Sequence, residues 1–357
     1  MARFSGLLEA AFRKCGQDVL IFPFRSLYPA FITKDRVDAS LADHAQLVLY
    51  NPLSWFGTIR RIKSLRPDIL LVAYWTGLLA PLCFVLRRFT GIRTVVLLHN
   101  LSSHESFFFE PLMQRLLAAS ADGFLTLSGA VSQEVKAAMP DIPQYSLFHP
   151  LLEPDGELPS VIDARRELHL DAHAPVLLFF GYVRPYKGLE TMLRAMPAIL
   201  QKAPALRLVV AGQFYEDVAR YRQLVEQLGL GGNVDLYPGY VASERTALYF
   251  AAADVVMLPY RSATQSGVVQ LAYGYGLPVI VTPVGALPEM VRHGQTGWLA
   301  RDTSSDGIAA AVGEFLDSRD QLNAMRPAIE AFRREFSWES FAASAGSFLE
   351  AIAAGRK

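Results

Sequence analysis

A chain of 357 residues is long enough for two α/β domains that each bury a core of their own. Lys plus Arg and Asp plus Glu both number 34, so the net charge is zero, which excludes a general nucleic-acid binder and makes any attraction to anions a local matter. Cys15 and Cys83 are too few for a disulfide framework or a cysteine metal site, which fits a reducing cytosol, and no apolar run reaches the ~20 residues that span a bilayer.

At the start, Phe4, Leu7, Leu8, Ala11 and Phe12 recur at helical spacing. A doubly wound domain opens instead on a strand and a glycine loop, so the first domain is expected to lack that element. A strand is expected at 19–24, followed by a loop through Tyr28, Pro29 and Pro52 and a helix around 55–64. Strands within 66–75 and at 94–99, 123–126 and 145–148 then alternate with helices at 78–89, 111–119 and 131–138. Such alternation predicts a parallel sheet covered on both faces.

Residues 151–174, rich in Pro, Asp, Glu and Ala, read as a linker. Beyond it, strands are expected at 176–180, 206–211, 234–236, 255–258 and 278–281, with an edge at Trp298. The pattern divides into a first domain over 1–160, a second over 161–335, and a helix over 336–357 that crosses back to the first.

The chemistry concentrates in the second half. After strand 176–180 the chain reads GYVRPYKG, where Gly181 permits a tight turn, Arg184 and Lys187 project from the loop and Gly188 opens a helix. Two cations beside a helix N-terminus suit a diphosphate, the arginine by its planar fork and the lysine as a point charge. Strand 255–258 halts at Pro259 before a polar loop with Thr264, Gln265 and Ser266, and Gly267 opens the next helix, which also carries Gln270. Gly285 and Pro288 mark a turn into a further helix N-terminus bearing Glu289. Gln213 follows the strand at 206–211, and Tyr240 with Val241 follows the one at 234–236; such loops hold a nucleotide base through main-chain groups and stacking.

Together, G-x-x-R-P-x-K-G, Y-x-A-A-A-D-V-V-x-L-P-Y-R, G-x-P-V-I-V-T-x-V-G-x-L-P-E and H-G-x-T-G-W-L resemble the family 4 glycosyltransferases. The resemblance covers most of the chain and is specific from about 175 to 300. It implies the GT-B fold, two Rossmann-like doubly wound domains facing a cleft. It further implies a sugar-nucleotide donor on the second domain, a glycan or lipid-linked acceptor on the first, retention of anomeric configuration, and no metal or cofactor. Arg184 and Lys187 would neutralise the departing diphosphate. His99 would lie near the transferred sugar, and Asn100 and His104 near sugar or acceptor. The implied donor set is Gly181, Gln213, Tyr240, Val241, Thr264, Gln265, Ser266, Gly267, Gln270 and Glu289.

Two departures bear on this. Many members carry glutamates eight residues apart where this chain has Ala263 and Leu271, and the family arginine most often follows the glycine directly, where this chain has Tyr182. A non-catalytic chain, truncated or degenerate, that binds nucleotide or glycan or partners an active transferase is therefore the rival expectation, which the missing opening strand also supports. Greasy segments with paired arginines at 80–89 and aromatics at 107–109 suggest peripheral contact with the inner face of a membrane, as for envelope polysaccharide or glycolipid synthesis in the cytoplasm.

Overall fold

The computed structural model describes residues 2–26, 47–101, 109–151, 158–263 and 266–355. They form two compact units, Met1–His149 with Ser337–Lys357, and Pro150–Phe336.

The first unit starts with helix α1 (Ala2–Lys14), then β1 (Phe24–Ser26), β2 (Leu47–Val48), α2 (Pro52–Leu65), β3 (Leu70–Tyr74), α3 (Ala80–Thr90), β4 (Thr94–Leu98), α4 (Glu110–Ser120), β5 (Gly123–Thr126), α5 (Gly129–Ala138) and β6 (Gln144–Ser146). β3, β4, β5 and β6 form a parallel sheet in that order, and β1 pairs with β2 separately. β4 is buried throughout, and its side chains alternate between two cores. Val96 and Leu98 pack with α2 and α3, whereas Val95 and Leu97 pack with Phe12 of α1 and Phe341 further on. α2 is built as its sequence dictates: Asn51 accepts from the Leu53 amide, Pro52 occupies the first turn, and Trp55, Ile59 and Ile62 bury one stripe.

One boundary moved. The strand expected at 19–24 is Phe24–Ser26, because Pro23 has no N–H to give to a ladder and pairing starts only after it.

The second unit contains α6 (Val161–Glu167), β7 (Val176–Phe180), α7 (Leu189–Lys202), β8 (Arg207–Gly212), α8 (Val218–Gln227), β9 (Val234–Pro238), α9 (Ser243–Ala252), β10 (Val255–Leu258), α10 (Gly267–Gly274), β11 (Val279–Val281), β12 (Gly297–Leu299), α11 (Ser305–Asp317) and α12 (Leu322–Glu335). Leu151 and, from α6, Ala164 are buried in this unit's core. The last helix, α13 (Trp338–Ala353), packs against α1 in the first unit.

The six strands of the second unit are all parallel, in the order β9-β8-β7-β10-β11-β12. This is the doubly wound arrangement, and its order reverses between β7 and β10; ligands of such sheets bind outside the carboxyl ends of the strands at that reversal. The opposite ends of the same two strands are locked together. Asp254, just ahead of β10, accepts from the Val176 amide of β7 at 2.9 Å and pairs with Arg165 at 3.0 Å. Arg165 is 3% exposed, and its other N–H groups donate to the carbonyls of Ala252, Ala172 and Ala174, so a buried charge is satisfied on every side.

One expected helix is absent. Beyond β11 the turn at Gly285 and Pro288 leads only to a 3-10 turn, Pro288–Met290, and Val291 is already extended. The few residues between Met290 and Gly297, where β12 begins, leave no room for an α-helix.

Candidate active site

Three loops meet at the carboxyl ends of β7, β8 and β10. The Val183 amide donates to the Gln213 carbonyl at 2.8 Å, and the Tyr215 amide donates back to Val183 at 3.1 Å. The Arg261 amide donates to the Tyr186 carbonyl at 2.7 Å, tying the β10 loop to the β7 loop. Two close approaches need glycine. Gly188 has φ +72°, and a Cβ there would lie 1.9 Å from the Pro259 carbonyl oxygen; Gly212 has φ +151°, and a Cβ there would lie 1.8 Å from the Gly181 oxygen.

On this platform stand the two cations. Lys187 closes a 3-10 turn, Pro185–Lys187, and is 8% exposed, with its ammonium 5.2 Å from the centre of the Tyr260 ring. Arg184 is exposed, and its guanidinium lies 4.1 Å from the centre of the Tyr215 ring, which Tyr182 meets edge-on at 5.4 Å. Neither cation has a carboxylate partner among the described residues, although ion pairs are numerous elsewhere in the unit. Burial, followed by the neighbouring charge of Arg184, lowers the Lys187 pKa to about 8. The fold holds a partly desolvated positive charge without local compensation, which favours an anion as its complement.

α10 supplies the third wall. Ser266 caps it by accepting from the Val268 amide, and the Ser266 hydroxyl lies 3.1 Å from that of Tyr260. A Cβ on Gly181 would sit 3.6 Å from both Lys187 Nζ and Val268 Cγ2, so the lysine, Gly181 and the first turn of α10 converge. The positive end of the helix dipole adds to the same field. Beneath Gly267, Gln270 is 2% exposed and its Oε1 has no hydrogen-bond partner among the described residues.

Gln213 is exposed beside this cluster, its amide donating to the Phe214 carbonyl. Tyr240, 75% exposed, and the half-buried Val241 follow β9, and Glu289 stands exposed on the 3-10 turn after β11. Thr264 and Gln265, as well as His104 of the first unit, lie outside the described residues. The residues that sequence reasoning missed are Tyr215 and Tyr260, the rings beneath the two cations. Their only signal was position, each following a strand by a few residues in FYE and LPYR.

In the first unit, His99 and the half-buried Asn100 follow β4 directly. The His99 ring lies edge-on to Phe4 of α1 at 4.9 Å and 6.2 Å from the His149 ring, and its Nε2 is buried without a hydrogen-bond partner among the described residues. Burial, then His149, lowers its pKa to about 4, so the imidazole is neutral at neutral pH. Among the described residues no group of three or more His, Cys, Asp or Glu is placed to hold a metal ion.

The family described as Glycosyl transferases group 1 matches residues 174–318. The chain is 32% identical over 203 residues to the D-inositol 3-phosphate glycosyltransferase of Streptomyces griseus, covering 54% of this chain and 43% of the relative, and 32% identical over 196 residues to that of Corynebacterium glutamicum, covering 53% and 47%. It thus spans under half the length of these curated relatives. Among solved structures, a glycosyltransferase from Rickettsia africae superposes with a TM-score of 0.75 at 13% identity over 98% of this chain and 94% of that one. HepE of Anabaena in complex with UDP gives 0.70 at 17% identity over 84% and 82%. Sucrose-phosphate synthase from Thermosynechococcus elongatus gives 0.66 at 21% identity over 90% and 83%. Residues 174–318 of the second unit thus match the group 1 glycosyltransferase family, and the likeness to these solved structures shows the GT-B fold.

Proposed function

We propose that this chain transfers a sugar from a nucleoside diphosphate sugar to a glycan or lipid-linked acceptor, with retention of anomeric configuration and without a metal ion. The observation that carries this reading is the pair Arg184 and Lys187, each resting on an aromatic ring and neither neutralised by a described carboxylate, at the strand-order reversal of the second unit. The solved complex of HepE with UDP and the names of the curated relatives support it.

In the proposed reaction the acceptor oxygen attacks the anomeric carbon on the face the diphosphate leaves, and a diphosphate oxygen takes the acceptor proton. Negative charge grows on the leaving group as the glycosidic bond breaks. Arg184, Lys187 and the α10 N-terminus are fixed in advance around that charge, which is the form of stabilisation that contributes most to such steps. Gly181, Gln213, Ser266, Gly267 and Gln270 would hold the donor, with Tyr240, Val241, Thr264, Gln265 and Glu289 completing its site. His99, neutral and with its Nε2 unpartnered among the described residues, would hydrogen-bond the sugar, and Asn100 and His104 would face sugar or acceptor. The proposed setting is envelope polysaccharide or glycolipid assembly on the cytoplasmic side of a membrane, reached as a peripheral protein; no helix among the described residues is long and apolar enough to cross one.

The test is release of nucleoside diphosphate from UDP- and GDP-sugars in the presence of glycan or lipid-linked acceptors. Arg184→Ala and Lys187→Ala should each abolish release with the fold intact; normal rates in the double variant overturn the assignment. The second reading, a non-catalytic nucleotide-binding chain, is favoured by Ala263 and Leu271, both packed against the core where many members carry glutamate. It predicts nucleotide binding without turnover in the same experiment.

A further inference from the structure

The outer side of α2 and α3 differs from the rest of the molecule in composition. Between Tyr50 and Arg93 seven basic side chains stand against one acid, Asp68, in a chain whose overall charge is zero. The inner stripe of α2 is buried; the outer stripe at 53, 56, 60 and 63 follows helical spacing and combines Leu53 and Phe56 with Arg60 and Lys63. Leu53 is 79% exposed and Phe56 59% exposed, an unfavourable placement for two large apolar groups unless something covers them. α3 packs beside α2 on the same core and repeats the combination one turn apart, with Phe84 and Arg88 both exposed. Arg87 of α3 is held by Asp122 at 2.9 Å, but Arg60, Lys63 and Arg88 have no ion-pair partner among the described residues.

We infer that this face docks on an anionic lipid bilayer, with Leu53, Phe56 and Phe84 entering the headgroup boundary and Arg60, Lys63 and Arg88 pairing with lipid phosphates. Charge selects this occupant. A protein partner or a second copy of the chain would have to bring matching acidic groups, and a second copy would bring the same cations, whereas an anionic leaflet supplies diffuse negative charge and an apolar layer together. The inference deepens the proposed peripheral attachment by naming its surface and the sign of its lipid. It rests on that reading for its setting, but not on sugar transfer.

The experiment is co-sedimentation of the full chain with vesicles of neutral phosphatidylcholine and with vesicles containing phosphatidylglycerol. Alongside it, calorimetric titration with UDP and GDP reports on the second unit, so a failure of one reading is separable from a failure of the other. Binding should be confined to the anionic vesicles and fall steeply with added salt. Arg60→Glu with Lys63→Glu should weaken it at least about twenty-fold, and Leu53→Ser with Phe56→Ser should weaken it comparably, while nucleotide affinity and thermal unfolding remain as in the parent. Equal binding to both vesicle types, no binding to either, or vesicle binding indifferent to both variants would overturn the inference. So would a dimer, seen by sedimentation, that the same substitutions abolish.

Discussion

The ammonium of Lys187 lies over the ring of Tyr260 at 5.2 Å, and the hydroxyl of that tyrosine reaches Ser266, the cap of α10, at 3.1 Å. One aromatic side chain therefore sits between the buried cation and the helix N-terminus that flank the proposed diphosphate position. Burial raises the Tyr260 pKa, so the phenol stays neutral and serves both neighbours throughout the physiological range.

The lowered pKa of Lys187 sets a pH dependence. An anion that binds the ammonium raises that pKa, so affinity for UDP or GDP should be steady below pH 8 and fall as pH rises above it, by up to about tenfold per unit. Titrations between pH 6 and 10 check this. Lys187→Arg, charged throughout, should remove the fall.

The same burial costs stability. The unfolded lysine has its ordinary pKa of 10.5 and the folded one about 8, so at neutral pH the fold carries a penalty that is relieved as pH rises between those values. Lys187→Met should therefore raise unfolding free energy at pH 7 by about 1–3 kcal/mol, measured by urea denaturation, while eliminating nucleotide binding. Lower stability together with retained binding would contradict the site.

Much of this was legible in advance, and for identifiable reasons. Strand 255–258 ends at Pro259, strand 176–180 ends at Gly181, and buried parallel strands of that kind read as continuous apolar runs. Arg184 and Lys187 were visible because two cations on one glycine loop form a local pattern. The rings that hold them were not, because Tyr215 and Tyr260 reach the cations from other strands' loops, 31 and 73 positions from their partners, and only the sheet order brings them close. The helix expected after Pro288 failed for a similar reason, since the nearness of β12 limits what the local signals can build.

Tyr215 should act as a positioning residue for Arg184. Tyr215→Leu removes the ring and should weaken nucleotide binding about two- to fivefold, whereas Tyr215→Phe, which keeps the ring, should stay within about twofold. Equal effects would show that stacking does not orient the guanidinium.

Gly188→Ala forces a Cβ into the Pro259 carbonyl at a left-handed position. Unfolding free energy should fall by more than about 2 kcal/mol, and nucleotide binding should go with it, because the β7 and β10 loops must separate.

Asp254→Ala leaves Arg165 charged, buried and without its carboxylate. A loss of about 3–5 kcal/mol is expected, read by urea denaturation, with the second unit melting first under limited proteolysis.

The most direct measurement is calorimetric titration of the purified chain with UDP and GDP, in the parent and in the variant carrying Arg184→Ala and Lys187→Ala. The account predicts saturable binding of one nucleoside diphosphate that disappears in the double variant while that variant still unfolds cooperatively at or above the parent's temperature. Undiminished binding in that variant, or none by a well-folded parent, would contradict it.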